Sequence, residues 1–218
     1  MKKINIKSIL SILATKFTLF LTKTILKGGT TFPGRVALKL DNNILATVSK
    51  GYKVVLVTGT NGKTTTTSMI YNIIKEKGYP VITNNTGANL FPGIVTTFVE
   101  NYKFFNKDEN KYAIIEVDEA NLKFITKYIN PEIITVTNLF RDQLDRYGEV
   151  YTTLTKILEG ITLVPESKLV LNGDESLLGK LDVKNPLVFY GFKTPINENK
   201  TIDVNADGYE EINISGID

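Results

Sequence analysis

The stretch KVVLVTGTNGKTTTTS, residues 53–68, constrains the fold more than any other part of the chain. A short, β-branched run stops at Gly59, as a strand buried on both faces does. Lys63 then opens KTTTTSMIYNIIKEKGY, where Met69, Ile70, Ile73 and Ile74 share one helical face and Gly78 marks the stop. A strand, a glycine turn and a helix in that order present backbone N–H groups and the positive helix end to a phosphate. The residues concerned are Gly59, Thr60, Asn61, Gly62, Lys63, Thr64 and Thr65. The turn is shorter than the Walker pattern, with Val57 where that pattern has its first glycine. Lys63 is placed to neutralise β- and γ-phosphates, and the Thr64 hydroxyl to complete a magnesium shell.

Further strands are expected at 80–85, 111–120, 132–139, 168–175 and 186–192, after the first at 52–60. Helical stretches alternate with them, in VTTFVENYKFF, in LKFITKYI and in VYTTLTKILEGI. That alternation predicts an α/β fold with a doubly wound, mostly parallel sheet. Ligands of such sheets sit beyond the carboxyl ends of the strands. The third strand ends there in Glu116, Asp118 and Glu119, and Glu116, nearest the strand, is the candidate magnesium ligand. The fourth strand runs into TNLFRDQLDRYGE, where Asn138, Arg141, Asp142, Gln143, Asp145 and Arg146 gather; a solvated loop and a functional one are both compatible with that composition.

Composition removes several chemistries. The 218 residues contain no cysteine and no histidine, so thiolate catalysis, disulfides, cysteine-bound zinc and an imidazole base are excluded within this chain. Any metal must be a hard cation held by oxygen, with magnesium the natural choice beside phosphates. A net charge of +3 does not point to nucleic acid.

Residues 1–50 form a lead-in, 51–200 the nucleotide-binding domain and 201–218 a polar tail. In the lead-in, Ile6, Ile9, Leu10, Leu13, Phe17, Phe20, Leu21 and Thr24 recur at helical spacing. Lys16 and Lys23 interrupt the run, which speaks against a cleaved signal or a spanning helix. An amphipathic helix packed on its own domain and one resting on a membrane surface both remain open. Residues 27–45 open on a Gly-Gly turn and Pro33-Gly34 and then continue as a helix-like stretch.

Several motifs together resemble the Mur ligases, the ATP-dependent enzymes that build peptidoglycan stem peptides. They are VTGTNGKTTTT, a glutamate closing the third strand, TN and DQLDRYG after the fourth, and LNGDE after the fifth. GGTTFPGRVALKLDNNIL, TNNTGANLFPGI and TNLFRDQLDRYGEVYTTL are similar, more narrowly, to the MurT-like branch. The resemblance implies an ATP- and Mg2+-dependent carbon–nitrogen ligase. It would amidate the D-glutamate α-carboxylate of lipid II through an acyl phosphate, using ammonia from a GatD-type glutamine amidotransferase. It further implies catalytic roles for Lys63 and Glu116, magnesium on Thr64 and Glu116, and a substrate-side loop holding Asn85, Thr86, Asn138 and Arg141. The expected location is the cytoplasm, with a peripheral position at the inner face of the membrane left open. Other Mur ligases carry Asp-His-Leu-Asp where this chain has Asp142 and Gln143, so the second magnesium site those residues would form is in question. Lys156 lies off the register of the family's carbamylated lysine. A cysteine zinc ribbon and a second domain, usual in this branch after the VNADG at 204–208, do not follow before Asp218. Full activity is therefore not expected of these residues alone. The rival readings are another Mur-type amino-acid ligase of the folylpolyglutamate synthase kind, a non-catalytic nucleotide-binding scaffold, and a transport or signalling ATPase. The last needs an aspartate-ended strand in place of the one closed by Glu116.

Overall fold

Strand β1 (Tyr52–Thr58) runs through the middle of a six-stranded sheet in the computed structural model, which describes residues 4–25, 29, 31–84, 88–104, 110–139 and 149–192. On one side of it lie β3 (Lys111–Glu116) and then β2 (Val81–Thr83). On the other lie β4 (Ile133–Val136), β5 (Lys168–Asn172) and β6 (Leu187–Tyr190). Every pairing is parallel, as the alternating sequence predicted. The chain leaves β1 toward β2 but leaves the adjacent β4 toward β5, so the connections diverge between these two neighbours. A crevice at the carboxyl ends of β1 and β4 follows from that divergence.

Right-handed crossovers place α4 (Lys63–Glu76) and α5 (Phe91–Asn101) on opposite faces of the sheet. The face of α5 carries the main core, in which Leu56, Ile115, Ile134 and Leu169 of the strands meet Ile94, Phe98 and Ile157 of the helices. Helix α6 (Leu122–Thr126) and α7 (Glu149–Ile161) extend that layer, and α8 (Ser176–Gly179) follows β5. The third strand is shorter than the expected 111–120. Asp118 turns the chain by accepting hydrogen bonds from the Ala120 N–H and the Asn121 Nδ2, forming a 3-10 turn over Glu119–Asn121.

The lead-in holds three helices, α1 (Ile6–Ile25), α2 (Thr31–Leu40) and α3 (Ile44–Val48). The helix-like stretch already begins at Thr31, because Pro33 is tolerated in a first turn, so Pro33 and Gly34 lie inside α2 and not before it. It breaks after Leu40 at Asp41, whose carboxylate accepts from the Asn43 N–H at 2.9 Å and the Ser8 hydroxyl at 2.6 Å. Helices α2 and α5 touch at Gly34, where a Cβ would stand 1.7 Å from the Pro92 carbonyl oxygen. No other residue fits that crossing without moving a helix.

Two helices place their apolar residues differently from the usual inward arrangement. Helix α1 does pack on its own domain, but through Ser8, Ser11, Ile12, Thr15, Leu19 and Thr22, all buried. The stripe that the periodicity marks is turned outward, with Ile6 74%, Phe17 62% and Phe20 64% exposed. In α4, Met69 and Ile73 are also exposed, Ile70 and Ile74 are half-buried, and Thr67 is the residue the helix buries. The shared helical face of these four residues is therefore split between sheet and solvent.

Candidate functional site

The phosphate loop is built from both strands of the crevice. Gly59 has φ +119°, and a Cβ there would lie 2.4 Å from the Thr137 hydroxyl and 2.9 Å from the Asn138 carbonyl oxygen. A side chain is thus barred by both conformation and space. The turn is braced from the end of β4. Asn138 accepts the Asn61 N–H at 2.9 Å and donates to the Asn61 carbonyl at 3.1 Å, while its own carbonyl takes the Thr60 N–H at 2.9 Å. The Thr137 hydroxyl donates to the Asn61 carbonyl at 2.7 Å, and the Tyr190 hydroxyl to the Thr137 carbonyl at 3.0 Å. Gly62 enters α4 in the left-handed region, φ +78°, with no side-chain cap. The first-turn amides of Lys63, Thr64 and Thr65 therefore keep the role of anion donors.

Lys63 curls back over this turn. Its Nζ donates to the Gly59 carbonyl at 2.6 Å, the Thr60 carbonyl at 3.1 Å and Glu119 Oε1 at 3.0 Å. The pair with Glu119 is largely shielded from water. One residue on, the Thr64 hydroxyl donates to Glu116 Oε2 at 2.8 Å. Glu116 is only 7% exposed and tightly held. Asn89 Nδ2 donates to its Oε1 at 3.2 Å, and Asn84 pairs with its backbone, accepting the N–H at 2.8 Å and donating to the carbonyl at 2.8 Å. A buried carboxylate fixed at both ends next to a threonine hydroxyl suits a hard cation, which takes oxygen donors. Magnesium keeps several waters and takes only one or two protein oxygens beside phosphates, so two converging donors are enough. Among the described residues no cluster of three or more acidic side chains gathers into a metal site.

The structure thus brings together Gly59, Thr60, Asn61, Gly62, Lys63, Thr64, Thr65 and Glu116, with Asn138 contributing to the loop backbone. Asn85, Thr86, Arg141, Asp142 and Gln143 lie outside the described residues. Residues that sequence reasoning did not single out complete the arrangement: Asn84, Asn89 and Thr137. Glu119 was set below Glu116 on distance from the strand, yet it is the ion partner of Lys63. The polar residues closing the apolar runs VITNN and ITVTN were the available signal for this bracing. Among the described residues, two buried hydroxyls without a hydrogen-bond partner, Thr58 and Thr67, bracket the same loop. Nearby, burial pushes the Glu175 carboxyl above its ordinary value, against the backbone amides of Leu139 and Leu177, which pull it down.

The Mur ligase middle domain pattern matches residues 57–217. The chain is 41% identical over 204 residues to the MurT subunit of lipid II isoglutaminyl synthase (glutamine-hydrolyzing) from Streptococcus pneumoniae strain R6, covering 94% of this chain and 45% of that protein. The MurT subunit of Staphylococcus aureus strain COL is 34% identical over 190 residues, 86% of this chain and 42% of that one. The chain therefore spans under half the length of these relatives. In fold it is similar to MurF of Acinetobacter baumannii, with TM-score 0.59 and 18% identity over 72% of this chain and 35% of that one. It is likewise similar to MurF ligase of Thermotoga maritima, a structure in complex with ADP, with TM-score 0.57 and 21% identity over 70% and 36%. With the family's pattern extending over most of its length and a parallel sheet of the same fold beneath it, this chain belongs to the Mur ligases.

Proposed function

We propose that the chain carries the nucleotide site of an ATP-dependent carbon–nitrogen ligase that amidates the D-glutamate α-carboxylate of lipid II. The observation that carries the reading is the Thr64–Glu116 contact beside Lys63 at the carboxyl ends of β1 and β3. Likeness to the two MurT subunits supports the choice of acceptor and of a glutaminase partner of the GatD type.

A carboxylate has no leaving group, so its amidation needs activation. One carboxylate oxygen attacks the γ-phosphorus of ATP, ADP departs, and an acyl phosphate forms. Ammonia then adds to the carbonyl carbon, phosphate leaves, and loss of a proton gives the carboxamide. In this scheme the loop amides and Lys63 stabilise the charge on the transferred phosphoryl group. Lys63 exchanges Glu119 and the loop carbonyls for phosphate oxygens as nucleotide arrives. Thr64 and Glu116 would hold Mg2+, which offsets phosphate charge. Asn84 and Asn89 keep the Glu116 carboxylate aimed at the loop.

Titration calorimetry with a non-hydrolysable ATP analogue tests the site. Lys63→Ala should cost on the order of 2–4 kcal/mol of binding. Glu116→Gln should weaken binding with Mg2+ present and change it little without. Unaltered affinity in Lys63→Ala, or equal effects of Glu116→Gln in both conditions, refutes the assignment. The acceptor is tested separately, by supplying lipid II, ATP, Mg2+, glutamine and the glutaminase to the whole ligase and following carboxamide formation by mass spectrometry.

A further inference from the structure

Helix α1 is amphipathic in the reverse sense. Its inward face is lined by hydroxyls that each find an acceptor, within the helix or across to α2 and Asp41. Ser8 bonds Asp41, Ser11 the Ala37 carbonyl, Thr15 the Ser11 carbonyl and Thr22 the Leu19 carbonyl. Its outward face is Ile6, Leu10, Leu13, Phe17 and Phe20, each more than half exposed. At 3.6 residues per turn these five fall within an arc of about 80° and extend about 21 Å along the axis. Burying hydroxyls while exposing two phenylalanines and three aliphatic side chains makes no sense for a helix that faces only water. An apolar patch of this size marks a contact surface.

Charge identifies what is contacted. Across Ile6–Ile25 there is no Asp or Glu, and the charged residues are Lys7, Lys16 and Lys23. By helical geometry Lys7 lies on one flank of the stripe and Lys16 and Lys23 on the other. Lys16 reaches the Tyr102 carbonyl and Lys23 pairs with Glu100, the acid that faces this flank from α5. An apolar stripe edged by lysines is the pattern of a helix lying in the boundary of an anionic bilayer, with ring and aliphatic groups among acyl chains and ammoniums at headgroup level. The same 4-3-4-3 spacing would serve a two-helix seam. A second copy of this helix, however, would bring lysines against lysines, and phenylalanine occupies two of the five seam positions. No helix among the described residues is long and apolar enough to cross a membrane, so α1 would rest on the surface.

We infer that α1 docks this protein on an anionic lipid surface through Ile6, Leu10, Leu13, Phe17 and Phe20. The inference is independent of the ligase reading, because its test uses bare lipid without nucleotide. The full chain is mixed with vesicles of phosphatidylcholine alone or with added phosphatidylglycerol and then floated. Binding is expected to the anionic vesicles, weaker to neutral ones, and at least about tenfold weaker after Phe17→Ser with Phe20→Ser, since each ring contributes its burial. Ile73→Ser, on the exposed side of α4, should leave partition unchanged. The chain has no tryptophan, so Phe17→Trp supplies a single emitter whose fluorescence should shift to the blue on anionic vesicles. Circular dichroism of each variant confirms that the fold is kept. Three results would overturn the inference: no flotation of the wild-type chain, equal flotation of the double serine variant, or a dimer in buffer that the same substitutions split while vesicles bind neither form.

Discussion

Helices α4 and α5 lie on opposite faces of one sheet and meet opposite fates, the first rich in threonine and charge, the second apolar along most of its length. Helix α5, FPGIVTTFVEN, buries seven consecutive residues from Gly93 to Val99. Helix α4, KTTTTSMIYNIIKE, buries Thr67. The first is held along its side by the sheet, α2 and the lead-in. The second lies against β1, β2 and β3 with a half-buried flank and is pinned in addition at its amino end, by the braced loop, the Thr64–Glu116 bond and the Lys63–Glu119 pair. A helix that must offer its amino end to a ligand takes its position from that end, and its flank contributes less to stability. Burial and site geometry are thus separated between the two faces of the sheet.

Substitution on the two helices should expose this contrast. Phe98→Ala empties a fully buried position against Tyr52 and should cost about 3–5 kcal/mol of unfolding free energy. Ile73→Ala, on the open flank of α4, should stay within about 0.5 kcal/mol. Chemical denaturation of both variants measures the difference, and comparable losses would mean that α4 is anchored by its flank after all. Smaller in stability but sharper in function is Asn138→Ala. It removes two bonds to the Asn61 backbone and should lower stability by about 1 kcal/mol, while nucleotide affinity drops several-fold as the loop loses its brace. Intact affinity in that variant would show that the loop holds its shape unaided.

The smallest effect concerns Glu175, at the same edge of the sheet. Burial raises its carboxyl above the ordinary value of 4.5, so the folded chain holds the proton more tightly than the unfolded one. Its contribution to stability is complete below that ordinary value and is lost as pH rises through the raised one. Glu175→Gln should therefore melt slightly higher than the wild type at pH 7 and no higher in acid. A variant that gains as much in acid as at neutrality would place the effect in packing instead of charge.

Much of this was legible in the sequence. All six strands, the phosphate loop and Glu116 as its acidic neighbour follow from apolar runs that end in glycine or polar residues. The orientation of α1 was not legible. Periodicity reports that Leu10, Leu13 and Phe17 share a face, but it is silent on which way that face points. Serines and threonines normally mark the wet side, and here each one bonds a helix carbonyl or Asp41, which makes the polar side cheap to bury. The role of Glu119 was equally hidden, because its pairing with Lys63 depends on a turn that places residues 56 positions apart side by side. Distance along the strand ranked Glu116 first and could not foresee that contact. In α4 the four expected apolar residues span an arc of about 140°, so Ile70 and Ile74 turn toward the sheet while Met69 and Ile73 face solvent.

The Lys63–Glu119 pair also sets how the loop looks to an ion at a distance. An ammonium matched by a carboxylate at 3.0 Å projects little net field into the solvent. Chloride or sulfate would find only the amide donors, with no gain large enough to release the lysine from its carboxylate. A triphosphate brings several charges at once and can compensate for parting the pair. On the proposed reading, internal neutralisation would make the loop favour polyanions over small anions, with encounter rates that respond only weakly to ionic strength.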